Sequence, residues 1–241
     1  MVRRHQAAKF AADVFVFPGG TVRADDHLDP DEATTLGLDP GALHAALDAH
    51  QDPFALEPDG GLSLWVAALR ELFEEAGVLL AENAGGALAD LSAPDRADHF
   101  QALRDRLQGG RLSLAELGRR EGLLLAAERL VYFSRWITPS RSPRRYDTRF
   151  FVAEVPAGHL AGHCQIETTD GVWISPRDAL ARQASEDFPM LFVTREHVKR
   201  LAEFRRTEAL IEFTRNKPIS AILPSLEREH PSFASEPRQW W

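Results

Sequence analysis

Apolar positions along this chain alternate between β-like runs and helical spacing. Val14-Phe15-Val16-Phe17 closes on Pro18-Gly19-Gly20, which predicts a strand over 13–17 ending in a turn. Val66, Leu69, Leu72 and Phe73 recur at helical steps and predict a helix over 63–76, with Ser63 as its N-cap. Ala97, Phe100, Leu103 and Leu107 repeat the helical period, and Ser113-Leu-Ala-Glu116 is a capping box that opens another helix. Leu130 to Ile137 and Phe150 to Val155 read as strands. A short helix is expected around 42–49, a short strand at 1–4, and a short helix over 177–182 after Val172-Trp173-Ile174-Ser175-Pro176. One long amphipathic helix is expected over 195–215, capped by Thr194.

Composition narrows the class. The chain has 241 residues, 44% of them apolar, enough for a sizeable core. It contains no run of eighteen apolar residues, so no membrane span is expected. Its net charge of -8 argues against a nonspecific nucleic-acid surface, which needs a basic stripe. A small phosphate-bearing ligand needs only a few local arginines. The single cysteine, Cys164, excludes an internal disulfide and suits a reducing compartment. The opening Met-Val-Arg-Arg-His-Gln lacks a signal peptide's apolar stretch, and the closing Arg-Gln-Trp-Trp is not a peroxisomal address. The expected location is the cytoplasm.

Residues 70–78 read Arg-Glu-Leu-Phe-Glu-Glu-Ala-Gly-Val. On a helix the spacing puts Glu71, Glu74 and Glu75 on one face, a turn apart. Like charges at these distances repel, so a helix gains nothing from the arrangement by itself. Taken alone, it fits a solvated outer face as well as a site for a hard divalent cation, which prefers oxygen ligands.

Context favours the second reading. The Gly20 turn, with Arg70-Glu71-Leu72-x-Glu74-Glu75-x-Gly77-Val78, resembles the Nudix box, Gly-x5-Glu-x7-Arg-Glu-U-x-Glu-Glu-x-Gly-U, in which U is aliphatic. Two features depart from it. Gly20 and Arg70 are fifty positions apart instead of fourteen, and Leu62 stands eight before Arg70, where the box has its first Glu. Asp25 and Asp26 are the stand-ins nearest the turn. A box split by an insert resembles the subfamily of mammalian peroxisomal coenzyme A diphosphatases and their bacterial relatives. The Trp-x-Ser-Pro segment looks like the end of many Nudix domains. The resemblance implies an α/β fold: a Nudix-type α/β/α sandwich with a mixed β-sheet and additional helical insertions. It implies one domain over 1–223, with an insert at 23–61, a helical elaboration at 92–122 and a tail at 224–241.

The implied activity is metal-dependent hydrolysis of a diphosphate linkage in a nucleoside diphosphate derivative, with coenzyme A or acyl-coenzyme A as the subfamily expectation. Mg²⁺ or Mn²⁺ would be held by Glu71, Glu74, Glu75 and the Gly20 carbonyl. Arg70 would orient Glu74. The general base would be Glu74, Glu75 or Glu167. Arg3, Arg4, Arg144, Arg145 and Arg149 are candidates for the phosphates, since a guanidinium fork binds two oxygens at once. For Arg149 an ion pair with Asp147 is a serious rival, and for Arg144 and Arg145 a solvated loop is. Trp136 reads as core packing rather than as a base-stacking residue. The alternative from another class is a catalytically silent Nudix-fold protein that binds nucleotides or regulates. The apolar content of the extra helices allows a homodimer.

Overall fold

Strand pairing begins with the first residues: Val2–Arg3 (β1) runs antiparallel to Phe15–Val16 (β2). The computed structural model describes residues 1–3, 13–48, 60–139, 142, 144–155, 159 and 171–224. Arg4, Glu167, Cys164 and the tail beyond 224 lie outside these residues. After the Gly19-Gly20 turn comes one 3-10 turn, Ala24–Asp26. Pro30–Thr35 (α1) starts with proline in its first turn, and the Asp29 side chain accepts from the Glu32 N–H. Pro40–Asp48 (α2) and Gly60–Ala76 (α3) follow. Gly77, at φ 68°, ends α3 in the left-handed conformation that glycine adopts freely.

Ala81–Glu82 (β3) pairs with Leu124–Leu125 (β4). Between them lie Pro94–Gln108 (α4) and Leu114–Glu121 (α5), and α5 has the Ser113–Glu116 capping box expected from its sequence. Leu130–Ile137 (β5) is buried throughout, within the bounds expected. It pairs antiparallel with Asp147–Ala153 (β6) and parallel with Ala221–Ile222 (β7), so this sheet is mixed. Pro176–Ala184 (α6), capped by the Ser175 side chain, precedes Phe192–Leu201 (α7) and Thr207–Asn216 (α8).

A bulge in β5 sets what each side of the sheet buries. Register shifts between Tyr132 and Ser134. Before the shift, Tyr132 joins the large core built by α1 to α5, with Trp65, Val66, Leu69 and Phe73 of α3. After it, Phe133, Ser134 and Trp136 all meet His197 of α7. An extra residue in one strand flips the pleat, so one strand serves both layers. A smaller cluster of Phe15, Ala179, Phe188 and Val198 packs α6 and α7 beside β2.

Two helix expectations need correction. Ser63 is not the N-cap of α3; it is buried inside a helix that starts at Gly60. Extending the helix buries Leu62, and Gly61 lets α2 approach closely: a Cβ there would lie 2.9 Å from His44 Nδ1. The long helix over 195–215 is two helices. The N–H groups of Glu203 and Phe204 donate three residues back, to the Arg200 and Leu201 carbonyls, and end α7. The chain then folds back so that Phe204 and Phe213 lie 5.2 Å apart, with the Arg200 guanidinium over both rings. One straight helix would hold those rings roughly 13 Å apart along its axis.

Candidate active site

The last two turns of α3 carry the acidic face, and the Gly19-Gly20 turn closes on it. The Gly19 N–H donates to Glu75 Oε2 at 2.8 Å. Gly20 lies so near Glu71 that a Cβ on it would sit 2.3 Å from Oε1, so a side chain there would push the Glu71 carboxylate aside. Glu71 and Glu74 are buried, and Glu75 is half-buried at the edge.

Arginines keep these carboxylates from facing one another. Arg70, 1% exposed, forks onto Asp26 through Nε (2.8 Å) and Nη2 (2.9 Å). Its Nη1 donates to Glu71 Oε1 at 2.7 Å and to Glu74 Oε2 at 2.9 Å, and its Nη2 also reaches the Thr21 carbonyl. Burial works to lower the Arg70 pKa, but hydrogen bonds and the charges of Asp26 and Glu71 outweigh it and raise the value. Arg70 therefore stays charged while it donates to Glu74. A second arginine, Arg23, forks onto Glu74 from the other side, at 2.7 and 2.9 Å. From α4, Arg104 Nε donates to the Glu74 carbonyl at 2.9 Å, and Gln108 Nε2 donates to the same oxygen. Those donors satisfy a carbonyl in the last turn of α3, where the helix itself offers none.

The other candidates stand elsewhere. Arg135 forks onto Asp147 at 2.8 and 2.7 Å, and Arg149 reaches the same carboxylate at 3.3 Å. The ion pair that rivalled a phosphate role for Arg149 is present. Arg144 and Arg145 lie exposed before β6, and Arg145 Nε donates to the Thr138 carbonyl. Arg3, on β1, pairs with Asp13 at 2.8 Å. Trp136 is buried against Phe192 and His197, as core packing.

A family description, the NUDT19 Nudix domain, matches residues 1–192. The chain belongs to this Nudix family. Among similar proteins, the acyl-coenzyme A diphosphatase NUDT19 of Gallus gallus is 28% identical, covering 90% of this chain and 64% of that protein. The Xenopus laevis protein of the same description is 24% identical, over 91% of this chain and 63% of its own length. The putative nudix hydrolase 7 of Caenorhabditis elegans is 27% identical over 75% of this chain and 47% of its own. The chain thus spans between about half and two thirds of the length of these relatives. The crystal structure of a Nudix hydrolase from Alicyclobacillus acidocaldarius shares the fold, with a TM-score of 0.60 and 25% identity over 88% of this chain and 86% of that one.

Within the Nudix pattern, the partner of Arg70 has a sequence signature that counting back from Arg70 misses. Counted forward from Gly20, the box places its first acid six residues on, and that residue is Asp26. Arg23 and Asp26, inside the stretch read as the insert, are both tied to the box helix. Arg23, Arg104 and Gln108 carry no signal in the motif; only the folded chain brings them to Glu74.

Among the described residues, no three acidic, imidazole or thiol side chains stand close enough to enclose an ion as they are. The donor chemistry nonetheless fits a hard divalent cation. It is all oxygen, it comes from one helix face, and a glycine turn meets it where a Cβ on Gly20 would press on the Glu71 carboxylate.

Proposed function

We propose that this chain hydrolyses a diphosphate linkage in a nucleoside diphosphate derivative of the coenzyme A or acyl-coenzyme A type. The observation that carries the reading is the acidic face of α3 closed by the Gly19-Gly20 turn and wired through Arg70 to Asp26. The diphosphatases among the similar proteins supply the substrate class. Glu71, Glu74, Glu75 and the Gly20 carbonyl would hold Mg²⁺ or Mn²⁺. When bound, that cation offsets phosphate charge and makes a coordinated water more acidic.

The chain's own residues divide the remaining work. Arg70 fixes the directions of Glu71 and Glu74. Glu75, half-buried at the edge of the face, would take a proton from the attacking water. Its Oε2 is held by the Gly19 N–H, which fixes its position. Water adds to one phosphorus, the bridging P–O bond breaks, and two phosphate-bearing products leave. Arg144 and Arg145, exposed before β6, would meet the outer phosphates. Glu167 remains an alternative base. With Asp26 as the first acid of the box, the insert expected at 23–61 would begin after Asp26 and lie ahead of the box helix α3. A cytoplasmic setting and an optional homodimer belong to the same reading; fractionation and light scattering test them. No helix among the described residues is long and apolar enough to cross a membrane.

A second reading, a silent nucleotide-binding module, draws on the two arginines that occupy Glu74. A panel of nucleoside diphosphate derivatives with Mn²⁺, read by mass spectrometry, separates the two. The diphosphatase should split coenzyme A or an acyl-coenzyme A, and Glu75→Gln should lower turnover roughly 10²–10⁴-fold with the fold intact. Cleavage of no panel member would leave the binding module.

A further inference from the structure

We propose that Arg23 is an intramolecular counter-ion that competes with the divalent cation for Glu74 and, once displaced, turns to the substrate's diphosphate. The inference rests on the diphosphatase reading and concerns a residue at a variable position of the box, between Gly20 and Asp26.

The two arginines on Glu74 differ in how replaceable they are. Arg70 is 1% exposed and gripped by Asp26, Glu71, Glu74 and the Thr21 carbonyl. Removing it would leave three acids without their shared partner. Arg23 has a side chain 39% exposed, while the Glu74 side chain it grips is 4% exposed. Among the described residues its guanidinium donates to Glu74 alone, through Nη1 at 2.7 Å and Nη2 at 2.9 Å. Its main chain is anchored separately, because the Arg23 N–H donates to Asp26 Oδ2 at 2.7 Å. The backbone is thus fixed while the charged end reaches solvent and can swing.

The fork covers both Glu74 oxygens, and Arg70 shares one of them. A cation that takes Glu74 as a ligand competes with Arg23 for its oxygens, since Arg70 is locked in place and Arg23 holds both. Two positive groups on one carboxylate repel each other, so an arriving dication drives out the exposed guanidinium. A freed fork beside the acidic face is well matched to two oxygens of a diphosphate. Arg23 would then neutralise Glu74 before the cation arrives and hold phosphate afterwards.

The test uses the full chain stripped of metal, with Arg23→Gln and Arg23→Lys. Mn²⁺ binding is measured by titration calorimetry, and binding of methylenediphosphonate, which is not hydrolysed, is measured at saturating Mn²⁺. Arg23→Gln should bind Mn²⁺ roughly fivefold more tightly, the scale of a partly exposed ion pair. The same variant should bind methylenediphosphonate roughly tenfold more weakly, the scale of a lost charge-assisted hydrogen bond. Arg23→Lys keeps the charge without the fork, so its Mn²⁺ affinity should fall between the two; it carries the test if Arg23→Gln does not fold. Mn²⁺ affinity equal to or below that of the native chain in Arg23→Gln overturns the proposal and leaves the diphosphatase reading standing. Undiminished diphosphonate binding also overturns it. Absence of Mn²⁺ binding by every form overturns both.

Discussion

Gly20 and Glu71 are fitted to one another as a pair. A methyl group at Gly20 would occupy the space of the Glu71 carboxylate, and that carboxylate cannot retreat freely because Arg70 holds it at 2.7 Å. Gly20→Ala should therefore fold but lose roughly tenfold or more in Mn²⁺ affinity, measured by titration. An unaltered affinity would show that Glu71 adjusts without leaving the site. At this scale the sequence was legible where chemistry repeats a pattern. Glu71, Glu74 and Glu75 could be named from spacing, and Asp26 was within reach as the acid six residues after Gly20. Arg23 was not. An arginine in a turn has no period, and its partner lies fifty-one positions away.

The elements around α3 explain how a split motif can close. The turn at Ala24–Asp26 docks on the helix through the Asp26–Arg70 fork, and α4 caps its far end through Arg104 and Gln108. Within the insert region, α2 packs on the start of α3, where Trp65 Nε1 donates to the Leu43 carbonyl at 3.0 Å. Asp26→Ala would leave Arg70 buried without its main partner and should cost roughly 3–5 kcal/mol in denaturant unfolding. Asp26→Glu restores the residue of the family pattern and should retain most of that stability. The strongly periodic elements α4, α5 and β5 were readable from the chain. The break between α7 and α8 was not, because the helical period runs through it. The advantage of packing Phe204 against Phe213 exists only after the chain has turned. The two-residue strand β7 was equally hidden, since it is defined by its parallel pairing with β5.

On the scale of the whole molecule, one buried imidazole ties sheet to helix. His197 Nδ1–H donates to the Val193 carbonyl at 2.8 Å, and Nε2 accepts from the Ser134 hydroxyl at 2.7 Å. Burial lowers its pKa to about 4, with the nearby Lys217 charge acting in the same direction. Below pH 6.5 the unfolded chain takes up a proton that the folded chain refuses. The stability this group contributes is thus complete above pH 6.5 and lost as pH falls toward about 4, by up to about 1.4 kcal/mol per pH unit. Thermal unfolding between pH 7 and 4.5 should show that slope, and His197→Gln should flatten it. An equal slope in the variant would place the acid sensitivity elsewhere.

The Asp26–Arg70 fork also bears on how the molecule folds. It closes a loop over the forty-three residues 27–69, where the family spacing has seven. Loop-closure entropy grows only with the logarithm of length, so the longer span costs about 1.6 kcal/mol more than the short one. Folding rate responds more strongly to contacts of long sequence separation than equilibrium stability does. The last turns of α3 need only local contacts, while joining the two halves of the acidic centre needs a contact across forty-four positions. The insert is inexpensive at equilibrium; its effect falls on the time the chain takes to become competent.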